Sequence, residues 1–218
     1  HNELGFEVKK DEELEIKEVR DTINKLRAKN LDDDSFIKKF SDIFKENKME
    51  SISEGTFFSS ILFISALDET NKIETFLEKF ENAESPQMQG RYRAVLGQVR
   101  DQNASKKIVE FMLDGRIRGA DCPYILASMI TNKYIGKKSW KVIKENFNDL
   151  LNVMPDWTAS RILDALPAIY DEEFAGDIKN FIKKNPLPSS EKLAAQKLER
   201  LEANIEFMDN LKEVNNET

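Results

Sequence analysis

Histidine is almost missing from this chain: 218 residues hold one, and it is the first. A zinc site built on imidazoles has no ligands here, and a nucleophile that needs a histidine base has no partner. Cysteine is as scarce. Cys122 stands alone, so no internal disulfide is possible; a reducing compartment, and with it a cytoplasmic location, is the expectation. Long apolar runs are absent too. The longest, Phe57 to Leu67, is broken by Ser59, Ser60 and Ser65 and falls well short of the roughly 20 residues of a membrane span. There is no excess of base: a net charge of −7 and a pI near 5.1 leave no coherent basic face for phosphates, so no nucleic-acid role is expected. His1-Asn2-Glu3 opens without a basic region or apolar core, so no signal peptide is expected either. A first residue that is histidine instead of methionine reads as a cut from a longer chain, and His1 carries no argument.

What is present is helical. An apolar share of 40% is enough for a real core, and 33% charged residues fit extensive solvated helix surface. Apolar residues recur at three- and four-residue spacing, as in Ile16, Val19, Ile23 and Leu26, or Phe36, Ile37, Phe40 and Phe44, while strand-like alternation is missing. Ser53 opens a helix apolar on most faces, from Phe57 to Leu67, which is expected to be central. Ser85-Pro86 reads as a cap with a first-turn proline, Asp114-Gly115 as a helix stop, and Asp121, Asp156 and Asp171 as helix starts. Trp157, Ile162, Leu163 and Leu166 are expected on one helix that Pro167 weakens or ends. Asn185-Pro-Leu-Pro-Ser189 is the clearest linker; a long last helix follows, with Leu198, Leu201, Ile205 and Met208 inward. Residues 212–218 read as a frayed, disordered polar tail. The openings at Ser53, Ser85, Asp121 and Asp156 recur every 32 to 36 residues or so, two short helices to each interval, a period close to HEAT and armadillo arrays. The predicted fold is therefore all-α: a single domain over 1–218, built as a right-handed α-α superhelix of HEAT-like hairpins with a concave face.

Particular stretches carry a family resemblance. They are Arg116-Ile-Arg118-Gly-Ala-Asp121, Trp140-Lys-Val-Ile-Lys-Glu-Asn146, Ser160-Arg161-Ile162, Phe174-Ala-Gly-Asp-Ile-Lys-Asn-Phe181, Pro188-Ser-Ser-Glu191 and Ala203-Asn204. From Gly115 to about Met208 the chain resembles the end of a zinc aminopeptidase of the puromycin-sensitive and oxytocinase-like family, whose archaeal protease-associated members form one branch. Upstream, Leu4-Gly5-Phe6-Glu7 is similar to the family's Leu-Gly-Trp junction. The resemblance implies a helical C-terminal domain that caps the active site of a metal-dependent exopeptidase. Its partners would be the catalytic domain of the same polypeptide and the peptide substrate. Zinc is expected in that catalytic domain, and no cofactor in this chain, which has neither H-E-x-x-H nor the family's Gly-Ala-Met-Glu-Asn stretch. A stand-alone helical-repeat scaffold, or the tail of a homologue whose zinc motif has decayed, are the rival readings.

Two arginines are singled out as substrate-binding. The resemblance implies that Arg161 reaches into the closed cavity toward the bound peptide, where a guanidinium keeps its charge and grips a carbonyl or carboxylate with two prongs. A local ion pair with Asp164, three residues on, explains it equally well. Arg118 matches a basic position of the family, and a pairing with Asp121 explains it without substrate. Arg91 and Arg93 point in different directions from one helix. Trp140 and Phe147 read as packing between helices, Cys122 as a buried thiol, and Asp32-Asp33-Asp34 as a helix start favoured by the dipole. No residue is expected to be catalytic or to ligate a metal.

Overall fold

The computed structural model describes residues 5–7, 9, 11–46, 55–187 and 190–216, with side chains up to 211. The expected helix start at Ser53, Leu4 of the junction, and Pro188 and Ser189 of the linker lie outside these. Every regular element among the described residues is helical, and none is a strand. No described helix is long and apolar enough to cross a membrane. The chain divides into two compact units, residues 1–104 and 105–218.

Unit 1 holds α1 (Leu14–Leu31), α2 (Asp34–Lys45), α3 (Gly55–Ala66), α4 (Ile73–Glu81) and α5 (Pro86–Leu96). The expected central helix is α3, which packs against α1, α2 and α5. The α2 stripe of Phe36, Ile37, Phe40 and Phe44 is fully buried. Phe44 stacks on Phe76 at 5.0 Å, and Phe40 meets Phe36, Phe57 and Phe6. Several buried polar groups are answered in pairs. Ser65 donates to the Phe40 carbonyl at 3.1 Å, and the Asn71 amide to Ser41 Oγ at 2.8 Å. Ser85 caps as read, accepting from the Met88 amide at 3.2 Å, and Asp33, within the run read as a helix start, accepts from the Phe36 amide at 3.0 Å. A hydrogen bond from Arg27, then those from Ser35 and the Phe36 amide, hold Asp33 down to about 2.

The α1 stripe departs from the usual arrangement. Ile16, Val19 and Leu26 are exposed, and the buried face is Arg20, Asn24 and Ala28. Periodicity locates a stripe but does not say which side faces the core. Here the polar side wins because it satisfies the segment that leads into α1: Arg20 Nη1 donates to the Gly5 carbonyl at 3.1 Å, Arg20 Nη2 pairs with Glu12, and the Asn24 amide donates to the Phe6 carbonyl at 3.0 Å.

Unit 2 continues from α6 (Ala104–Leu113), whose first residue closes unit 1. It holds α7 (Cys122–Ile130), α8 (Gly136–Glu145), α9 (Phe147–Val153), α10 (Asp156–Ala159), a 3-10 stretch (Ser160–Ala168), α11 (Glu172–Lys184) and α12 (Glu191–Asn216). Gly115, at φ +75°, terminates α6. Asp171 caps α11 through the Phe174 amide at 2.8 Å. Ser105 and Ser139 share a buried hydrogen bond of 2.8 Å. The last helix turns Leu201 fully inward, with Leu198, Ile205 and Met208 half-buried. It runs on to Asn216, through most of the segment read from sequence as a frayed, disordered tail.

Two expectations need correction. Asp121 sits at the start of α7 without capping it. Its backbone is already helical (φ −91°, ψ −23°), which keeps the carboxylate from folding back, and the carboxylate takes Arg118 instead. Trp157 is no core residue: it is 74% exposed on α10.

Candidate functional site

Arg161 lies on the 3-10 stretch, and the sequence dictates its setting. Three residues per turn place Arg161, Asp164 and Pro167 in one row. The pairs between them, Ile162-Leu163 and Ala165-Leu166, are buried. A triplet of one outward residue and two apolar ones thus suits a 3.0-residue period better than a 3.6-residue one. Pro167, which lacks an amide hydrogen, sits inside the stretch. Nine residues is long for this helix type, so its stability comes from packing: it lies between α7 and α12. The Asn204 amide of α12 donates to the Pro167 carbonyl at 2.6 Å, taking up a main-chain acceptor at the end of the stretch.

The exposed row is charged. Arg161 Nη1 stands 3.7 Å from Asp164 Oδ2, and Lys197 of α12 holds the other carboxylate oxygen at 2.8 Å. Asp164 is thereby committed mainly to Lys197, and the Arg161 side chain stays about half exposed, at 52%. The local pairing anticipated from the i,i+3 spacing is present, though long. Lys197 was not anticipated, because a partner from another helix leaves no mark in sequence spacing. Asn204 was visible as part of a family-like motif, but its hydrogen bond was not.

Arg118 is on the turn before α7. Its Nε donates to Asp121 Oδ2 at 2.9 Å, and its side chain is 76% exposed. That hydrogen bond and the charge of Asp121 bind the proton of the guanidinium more firmly still. The turn itself is fixed by Gly119: a Cβ there would lie 2.0 Å from the Val153 carbonyl oxygen. Only glycine lets the turn of Arg118 close on the chain that leads, through Pro155, to Arg161. Gly136 plays the same part between α7 and α8, where a Cβ would lie 2.4 Å from the Ile130 carbonyl oxygen.

The remaining candidates are packing groups. Trp140 and Phe147 both meet Phe181 edge-on, at 5.2 and 5.0 Å. Tyr92 is buried against Phe58, and Arg91 lies over the same ring at 5.2 Å. Cys122 is buried, and burial, reinforced by the neighbouring Asp121 charge, pushes its thiol up to about 12. At neutral pH it is protonated and a poor nucleophile. Among the described residues no group of three or more His, Cys, Asp or Glu is placed to hold a metal ion.

A half-exposed arginine on a packed 3-10 stretch has the chemistry to bind a carbonyl or carboxylate brought to it. The wider comparison agrees with the motifs that frame it: residues 1–203 match the ERAP1-like C-terminal domain. That match takes in unit 1, unit 2 as far as residue 203, and every motif on which the sequence resemblance rested except Asn204. The chain belongs to the ERAP1-like C-terminal domain family and is the C-terminal domain of an aminopeptidase.

Proposed function

We propose that this domain covers the active site of its aminopeptidase and holds the peptide substrate there, while supplying no catalytic group. In this reading the hairpins follow the right-handed superhelix expected from their period, and the concave side faces the peptide. The enzyme works in the cytoplasm, a compartment suited to a chain with one reduced cysteine. Arg161 grips a main-chain carbonyl or the C-terminal carboxylate of the peptide, and Arg118 adds positive charge farther along. Zinc, which activates water in enzymes of this kind, belongs to the catalytic domain. The described residues offer no ligand set for it, and no step of the reaction is assigned to them.

The carrying observation is the seat of Arg161. Its stretch is anchored by four buried apolar residues and by Asn204, while among the described residues its guanidinium keeps only a long contact with Asp164. A cation held in place yet weakly paired loses little on exchanging its partner for a peptide. In the full-length enzyme, Arg161→Ala should raise KM for peptides of about ten residues roughly tenfold, the weight of one charge-assisted hydrogen bond, with kcat little changed. Arg161→Lys, which keeps the charge but loses the fork, should fall between. An unchanged KM would refute the role given to Arg161.

Taken alone, the chain should be catalytically silent. Purified protein supplied with zinc and an aminoacyl-anilide should release no more aniline product than a blank. Turnover above the blank would contradict the assignment of all chemistry to the catalytic domain.

A further inference from the structure

Among the described residues of unit 1, the large apolar feature left uncovered is the stripe on α1. Ile16 is 39% exposed, Val19 49% and Leu26 53%, with Ile23 half-buried between them. Spacings of three, four and three residues align these four along one side of the helix. A surface helix normally turns such a stripe to the core, and contiguous apolar patches on a protein surface mark contacts with a partner.

The identity of that partner follows from where the polypeptide enters. The Gly5 and Phe6 carbonyls are fastened to α1 by Arg20 and Asn24, and the Phe6 ring meets Phe40 edge-on at 5.7 Å. Main chain arriving at residue 5 is therefore fixed beside α1. A C-terminal domain of this type has the rest of its aminopeptidase ahead of it in the polypeptide, so that body is delivered next to α1. A tethered neighbour acts at an effective concentration near millimolar, which lets a modest apolar face stay occupied.

We infer that the Ile16–Val19–Ile23–Leu26 face of α1 is the docking surface for the preceding part of the same aminopeptidase polypeptide. That part presents an apolar seat. The inference rests on the chain being an aminopeptidase C-terminal domain, but not on the role of Arg161.

The test uses a thiol at Val19. Cys122 is buried and protonated, so in folded protein a Val19→Cys variant has one reactive thiol, and an unlabelled Cys122 reports that the fold is intact. Maleimide should label Val19→Cys readily in the 218-residue chain and at least tenfold more slowly in the full-length enzyme. Val19→Asp should leave the thermal midpoint of the chain unchanged and lower that of the enzyme. Equal labelling rates in the two, or no effect of Val19→Asp on the enzyme, would overturn the inference. So would protection in the chain alone that grows with its concentration, which would assign the face to a second copy. Activity is not the readout. An enzyme with the expected Arg161 behaviour but a freely labelled Val19→Cys defeats this inference alone, and the converse result defeats only the peptide-gripping role.

Discussion

Replacing Gly119 by alanine is expected to lower the thermal midpoint by about 10 °C, the equivalent of roughly 3 kcal/mol in a chain of this size. The added methyl would stand 2.0 Å from the Val153 carbonyl oxygen and 3.4 Å from Pro155 Cδ. Neither obstacle is the free end of a flexible side chain. Relief requires moving main chain, and both segments are tied to packed elements: one leads into α7, the other into α10 and the 3-10 stretch. A loss of that size is a large part of the 5–15 kcal/mol that ordinarily separates folded from unfolded chains. Because the turn of Arg118 and the approach to Arg161 meet at this point, the damage should reach peptide binding in the full-length enzyme too. The comparison substitution is Gly90→Ala. Gly90 lies within α5 with open space where a Cβ would go, so alanine there should stabilise by about 0.5–1 kcal/mol. Thermal denaturation of the two variants should move the midpoint in opposite directions. A Gly119→Ala midpoint within a degree of the parent would contradict the close approach.

The second large effect is expected at Trp140. The indole is 2% exposed, meets Phe181 edge-on at an interplanar angle of 85°, and donates its N–H to Asp177 Oδ2 at 2.9 Å. Lys144 holds the same carboxylate oxygen at 2.5 Å, so α8 and α11 are joined by an aromatic contact and a charged one side by side. Truncation to alanine should cost about 3–5 kcal/mol, the range for deleting a large buried ring. Trp140→Phe keeps an aromatic edge for Phe181 and removes the donor, and should cost about 1–2 kcal/mol. Denaturant unfolding separates the two, and fluorescence supplies a check. With Trp140 gone, Trp157 is the only indole left; at 74% exposure it should emit as a solvated tryptophan already in the native state. A cost below about 1 kcal/mol for Trp140→Ala would mean that the α8–α11 contact is not a core contact.

Both residues show how far the sequence could be read. Trp140 and Phe147 are recognisable as packing groups because their helices carry regular apolar stripes, and the shared partner Phe181 falls in the same pattern on α11. Caps at Ser85 and Asp171 and the stop at Gly115 are equally legible, since each depends on a side chain or backbone property local to a few residues. The face of α1 was not, because its inward side is chosen by carbonyls of Gly5 and Phe6, more than ten residues away in sequence. Asp121 looked like a cap by type and position, but its carboxylate had a stronger claimant in Arg118. The 3-10 stretch left a signal that periodicity at 3.6 residues overlooks. Arg161, Asp164 and Pro167, each followed by two apolar residues, spell a period of three, and the proline confirms that an ordinary helix is interrupted. What sequence could not supply was the company of Arg161, since Lys197 and Asn204 arrive from α12.

A peptide under hydrolysis is expected to touch this domain at Arg161. A peptide of about ten residues carrying a photo-activatable phenylalanine analogue, irradiated while bound to the full-length enzyme, measures that directly. The expected product is a covalent adduct between peptide and residue 161, suppressed by excess unlabelled peptide. An active enzyme that yields no such adduct would contradict the claim that this helical domain closes over the substrate.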